Sequence, residues 1–202
     1  MTVTTPTGPA LAMLDIADIP CGMLALDLLV KEAYVDVLSA GTVQAGRYLI
    51  LFGGAVEPVQ LSFERAIEGV GQVVNDSVLL PWAEERLVPA IMEGRRRTDA
   101  EGDAIGVLHN GTAPTMLRAL DAALKGALVD LIQLRVAEGL AGAAIATLRG
   151  TTHDVEAALE IAEDATRRCC VAGWSTTVIR NVDDEVAARI SRGSHFFQEW
   201  RG

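Results

Sequence analysis

A chain of 202 residues, half of them apolar, can bury a core as one large domain or two small ones. Its formal charge of -10 argues against nucleic acid as a partner, because phosphate binding needs a basic face. Apolar runs reach only about ten residues, too short to span a bilayer, and residues 1–10 lack the basic and apolar regions of a signal peptide; a soluble, cytoplasmic protein with no membrane partner is expected.

In chain order, residues 1–8 form a flexible, Thr/Pro-rich tail. ALAMLDI (10–16) is a short apolar strand. Pro20 lies near the start of an Ala/Leu-rich helix that runs to about Ala33. YVDVLSA (34–40) and RYLILFG (47–53) are strands joined by a Gly-containing loop. VEPVQLSFERAIEGVGQVV (56–74) is a helix with Glu64 and Glu68 on its polar side. SVLLPW (77–82) is a strand, and AEERLVPAIMEG (83–94) a short helix. A polar linker over 95–103 holds the basic run Arg95-Arg96-Arg97, ringed by Glu93, Asp99, Glu101 and Asp103.

The order then starts again. AIGVLHN (104–110), a helix with Pro114 at its start, LVDLIQL (128–134), GAAIATLRG (142–150), DVEAALEIAEDATRRCCV (154–171), STTVIRN (175–181) and DDEVAARISRG (183–193) follow in turn, leaving 194–202 as a C-terminal tail. Residues 10–36 lie over 104–130 without a gap, and ten of the 27 positions are identical. Chance would give about two. Asp27/Asp121, Lys31/Lys125, Ala33/Ala127, Val35/Val129 and Asp36/Asp130 are among the matches. After a two-residue insertion in the second copy, Gly46 falls on Gly142, Gly54 on Gly150, Val59 on Val155 and Glu64 on Glu160. The chain is therefore α/β, with two tandem ferredoxin-like units, 9–94 and 104–193. Each has the order β-α-β-β-α-β-α, a split βαβ with one helix appended.

Catalytic chemistry is hard to place. His109, His153 and His195 have no metal-ligand spacing, and Cys21, Cys169 and Cys170 form no CxxC; the thiols are expected to be buried. Gly139 to Gly142 leads into a strand and lacks the helix start that a phosphate cradle uses. Glu84-Glu85 and Asp183-Asp184 suit the N-termini of short helices. Lys31 and Lys125 occupy the same place in both copies, which suits a repeated structural contact better than a reactive amine. What recurs is packing plus an Asp, a Lys and a loop Gly. That pattern favours an assembly protein over an enzyme, and neither a catalytic residue nor a metal site is assigned.

DxxxKxAxV after an apolar strand, then a Gly loop, an apolar strand ending in Gly, and helix-strand-short helix resembles the bacterial microcompartment (BMC) shell domain. Two in tandem resemble the trimeric tandem-domain shell proteins (BMC-T), and the unpermuted strand order is most similar to the tandem type of propanediol-utilising compartments. The resemblance implies a homotrimer of six domains that tiles a shell facet among hexameric shell proteins. Lys31 and Lys125, with Asp27 and Asp121, would lie at the tile edge. The loops 42–46 and 138–142, with Val43, Gln44, Ala45, Gly46, Glu138, Gly139 and Leu140, would surround a central pore for small metabolites.

Two departures matter. The relative carries an iron–sulfur cluster on a pore-loop cysteine; Gln44 stands there, so no cluster and no other cofactor is expected. Where many members have Pro-Arg-Pro, the copies have Pro81-Trp82-Ala83 and Arg180-Asn181-Val182. Three Glu138 carboxylates about 5 Å from a passing anion would repel it by about 2–3 kcal/mol in a water-like dielectric; alternatively, Glu138 turns away toward solvent or a residue such as Arg47. Phe196, Phe197 and Trp200 either pack back on their own domain or dock a partner. A regulatory protein of paired ACT-type domains, binding a small molecule between domains, is the competing interpretation.

Overall fold

A computed structural model describes residues 5–93, 99–137, 139–169 and 173–192. The first repeat runs β1 (Ala10–Ile16), α1 (Ile19–Glu32), β2 (Asp36–Val43), β3 (Arg47–Gly54), α2 (Val56–Val70), β4 (Val74–Leu80) and α3 (Leu87–Glu93). The second runs β5 (Ala104–Asn110), α4 (Ala113–Gly126), β6 (Asp130–Val136), β7 (Ala144–Gly150), α5 (Thr152–Thr166), β8 (Ser175–Arg180) and α6 (Asp184–Ser191). The sheets have matching orders, β2-β3-β1-β4 and β6-β7-β5-β8, with every neighbouring pair antiparallel. β3 separates β1 from β2, so each unit is a split βαβ.

Local chemistry sets the helix starts. The Asp18 carboxylate accepts from the Cys21 N–H at 2.8 Å, and Pro20 occupies the first turn, where a missing N–H is harmless. Pro114 does the same for α4. Thr151 caps α5, and Asp183 caps α6 by accepting from the Glu185 N–H at 2.9 Å. Glu84 does not cap α3, which begins at Leu87; its carboxylate holds Arg86 instead.

Several boundaries move. β2 and β6 begin two residues later than the periodicity suggests, because Tyr34 and Leu128 lie in exposed helix–strand turns. α2 ends at Val70 and a short 3-10 turn follows, which lets β4 start at Val74 with Asn75 as a bulge against β1. α5 stops at Thr166, whose hydroxyl donates back to the Ala162 carbonyl at 3.0 Å. Cys21 and Cys169 are half-buried rather than buried. Residues 5–8, expected to be loose, are held: the Thr7 N–H and hydroxyl both donate to Asp36 at 2.7 Å, and a Cβ on Gly8 would strike Gly54 at 2.4 Å. Gly102 lies against Gly150 in the same way, at 2.1 Å, so the repeat begins slightly before residues 10 and 104.

The two sheets are covered differently. On β1, Ala10, Ala12, Leu14 and Ile16 face the helices of their own repeat. Leu11 and Met13 face the other way, into a core shared with Met116, Leu117 and Leu120 of α4. Both faces of β1 are therefore buried. On β5 the outer face is less covered: Ile105, the counterpart of Leu11, is buried, but Val107, the counterpart of Met13, is half-buried, and His109, the counterpart of buried Asp15, is exposed.

Candidate functional site

The seam between the repeats is built by α4 lying across β4 and β1. Leu117 and Leu120 are fully buried there, each contributing about 1.5–3 kcal/mol by burial. Polar contacts fix its ends. Asp76 of β4 accepts from the Thr115 N–H (2.9 Å), the Thr115 hydroxyl (2.7 Å) and the Thr112 hydroxyl. A carboxylate of one repeat thus caps a helix of the other. Asp76→Ala should lower the melting free energy by about 1–2 kcal/mol in a denaturant titration, the usual loss for such a cap.

At the far end, Asp121 accepts from the Glu84 N–H at 2.8 Å, and Lys125 donates to the Trp82 carbonyl and pairs with Asp121 at 2.7 Å. Arg86 reaches the Leu124 carbonyl (2.8 Å) and the Val129 carbonyl (3.0 Å), closing the C-terminal end of α4. The sequence placed Asp121 and Lys125 at an outer edge; the structure gives them a partner inside the chain. Asp27 and Lys31 form the same 2.7 Å pair, but it stands in solvent. Arg86 escaped sequence reasoning because the second repeat has Glu185 at that position; Glu84, read there as a helix-start residue, enters the seam through its backbone N–H.

The two loops also meet across the seam. Gln44, Ala45 and Gly46 make a tight turn between paired Val43 and Arg47, with Ala45 and Gly46 both at positive φ (66° and 73°). In the second copy Ala137 and Ala141 have positive φ, a strained conformation for alanine, while Gly139 and Gly142 adopt it freely. Ala137 and Ala143 close that loop by an N–H to carbonyl bond of 2.8 Å. Leu140 is half-buried, and Glu138 lies outside the described residues. Gln44 Oε1 accepts from the Ala141 N–H at 3.2 Å, and Arg47 donates to the Gly142 carbonyl at 2.8 Å. A Cβ at Gly142 would strike the Arg47 guanidinium at 2.1 Å.

Arg47 also forms a 2.6 Å ion pair with fully buried Asp15, and Asn75 donates to the same oxygen at 3.0 Å. Burial pushes the Asp15 carboxyl above its ordinary range, although the Asn75 hydrogen bond and the Arg47 charge oppose the rise. Asp15 was read as part of an apolar strand. Its signal was a lone carboxylate at the end of ALAMLDI.

The BMC domain model matches residues 10–81 and 104–182. The chain belongs to the BMC-domain family. Similar proteins include the bacterial microcompartment shell protein PduT of Citrobacter freundii, 29% identical over 156 residues that cover 77% of this chain and 84% of that one. The carboxysome assembly protein CcmO of Synechocystis sp. is 26% identical over 168 residues, covering 77% of this chain and 56% of that one. The crystal structure of a microcompartment protein from Desulfitobacterium hafniense DCB superposes with a TM-score of 0.72 at 27% identity, covering 87% of this chain and 96% of that one. The fused permuted hexameric shell protein MSM0275 from the RMM microcompartment shares the fold, at a TM-score of 0.59 and 20% identity over 82% and 85% of the two chains.

The protein is thus a tandem BMC shell protein, a structural component of a microcompartment shell rather than an ACT-type regulator. Its family membership makes one asymmetry between the BMC domains informative. Leu117 is 0% exposed but its repeat partner Met23 is 55%; Leu124 is 4% but Val30 is 47%; Leu87 is 0% but Val186 is 42%. In each pair the covered residue sits in the internal seam. Among the described residues, the outer face of α1, the open face of β5 and β8, and α6 are the two unmatched halves of that same seam. Tyr34 and Leu128 differ from these: they are highly exposed in both repeats.

Proposed function

We propose that the protein is a homotrimeric, pseudohexagonal shell tile, with α1 of each copy seated on the open sheet of the next copy's second BMC domain. The exposed α1 face, where Met23 and Val30 are the counterparts of buried Leu117 and Leu124 of α4, carries this conclusion. A contact between unlike surfaces either closes into a ring or runs on as a filament. With two BMC domains per chain, three copies give a closed ring of six. Lys31 would donate to the Asn181 carbonyl as Lys125 does to Trp82, and Asp27 would accept from the Asp183 N–H as Asp121 does from Glu84.

The tile edge, in this proposal, runs along the rim of each seam. Exposed Tyr34 and Leu128 stand beside Lys31 and Lys125 in both copies, outside anything a seam covers. Such edges would meet other hexameric shell proteins through many weak contacts. Electron microscopy of concentrated protein tests this: hexagonal sheets, or entry into sheets of hexamers, are expected, and discrete particles at every concentration would count against it.

The loops of Val43–Gly46 and of Glu138, Gly139 and Leu140 would ring the axis and pass small metabolites. Gln44 supplies a neutral amide already engaged with Ala141, which supports a pore without an iron–sulfur cluster. Arg47 holds Asp15 and the Gly142 carbonyl through one nitrogen, which ties the base of the first loop to the second. Glu138→Gln is expected to raise anion flux through shells about tenfold or more, from the repulsion of about 2–3 kcal/mol; unchanged flux would remove the charge filter.

A further inference from the structure

We infer that a carboxylate transposed between the two kinds of seam, from the sheet in the internal one to the helix in the open one, pairs Asp18 of one copy with Ser175 and His109 of the next and so specifies the contact between copies. This rests on the trimer proposed above. In the internal seam the sheet supplies the anion and the helix the hydroxyls: Asp76 accepts from Thr112 and Thr115. Strand pairing fixes the matching positions. Leu11 faces Leu80 and Asp15 faces Asp76, as Ile105 faces Ile179 and His109 faces Ser175. Ser175 therefore stands for Asp76 and His109 for Asp15, while Asp18 and Cys21 stand for Thr112 and Thr115.

On the open side the roles are exchanged. The helix of one copy brings the carboxylate of Asp18, and the sheet of the next brings the Ser175 hydroxyl and the His109 imidazole, both exposed in the single chain. The Cys21 thiol and N–H hold the Asp18 carboxyl below its usual range, so it is an anion at neutral pH. Each correct pairing sets one carboxylate against donors. Exchange of α1 for α4 on a first-domain sheet, which would first have to give up its own α4, sets Asp18 against Asp76; like charges facing each other across an interface are strongly disfavoured. α4 on a second-domain sheet finds no anion for its N-terminus. The partner that fits the open sheet is therefore a second copy of this chain, presented by its first domain.

The test is the trimer dissociation constant of the full chain by sedimentation equilibrium. Ser175→Asp should weaken the trimer about a hundredfold, because it faces Asp18 with a second carboxylate. Adding Asp18→Thr, which rebuilds the internal arrangement and retains a capping residue, should bring the constant back to within about tenfold of the native protein. His109→Asp should behave likewise and be rescued likewise, and thermal unfolding by circular dichroism establishes that each variant is folded. A native trimer that is indifferent to both Ser175→Asp and His109→Asp, or double variants no tighter than the singles, would overturn the pairing rule while leaving the trimer standing. A native chain that is not a trimer would overturn both.

Discussion

Met23→Asp is expected to convert the proposed trimer into folded monomers. Met23 is the counterpart of Leu117, which is completely covered in the internal seam, yet it is 55% exposed in the single chain. An aspartate there costs the isolated chain little, about 0.5 kcal/mol, as for most exposed substitutions. In the assembled ring the same carboxylate would be buried without a partner three times over. Each burial costs several kcal/mol, about 3–5 kcal/mol at a site as closed as that of Leu117, which weakens each seam by more than about a hundredfold. Leu117→Asp is the paired control. It sets the same charge into the internal seam and should unfold the chain itself. Sedimentation velocity and circular dichroism on the two variants separate the effects: the first loses mass and keeps its melting transition, and the second loses the transition.

The other large effect is expected at Arg47. Arg47→Met leaves Asp15 fully buried with Asn75 as its remaining side-chain donor. Removing one member of a buried pair costs about 3–5 kcal/mol, against a total stability of about 5–15 kcal/mol for a domain. The pH dependence has a definite sign. The Asp15 carboxyl is already raised above 3.8 by burial, and losing the guanidinium raises it further. A group raised on folding binds more protons in the folded state, so its favourable contribution is complete below pH 3.8 and is lost as pH rises through the folded value. The deficit of the variant should therefore be smallest in acid and grow toward neutral pH. Chemical unfolding at several pH values measures it; a deficit independent of pH would mean that Asp15 is not the group left exposed to the loss. The native protein should show the same slope in weaker form, and Asp15→Asn should flatten it.

The duplication and element order were legible because ten shared positions in 27 and a repeated apolar alternation are local signals. The seam was not. Asp76 and Arg86 act through partners 36 to 43 residues away, and their repeat counterparts Ser175 and Glu185 carry different chemistry. Comparing the copies therefore hid these residues. The pair of Lys125 and Asp121 was found for its repetition but assigned to the edge alone, because sequence cannot show that one copy of a repeated surface is covered and the other open. Tyr34 was taken into a strand on its β propensity; the turn after Ala33 leaves it in solvent. Gln44 lies between β2 and β3, whereas Gly142, read both as the end of a loop and as the start of the strand 142–150, precedes β7, which begins at Ala144; the contact of each loop with the other depended on the seam. Glu138 and the aromatic tail of residues 194–202 lie outside the described residues.

The most direct measurement is the solution mass of the native chain at micromolar concentration by sedimentation velocity. A single species of three chains is the expected result, since each copy presents one α1 face and one open second-domain sheet that match each other. A monomer, or a dimer that grows no further, would contradict it: the exposed face of α1 and the open face of β5 and β8 would then not be partners.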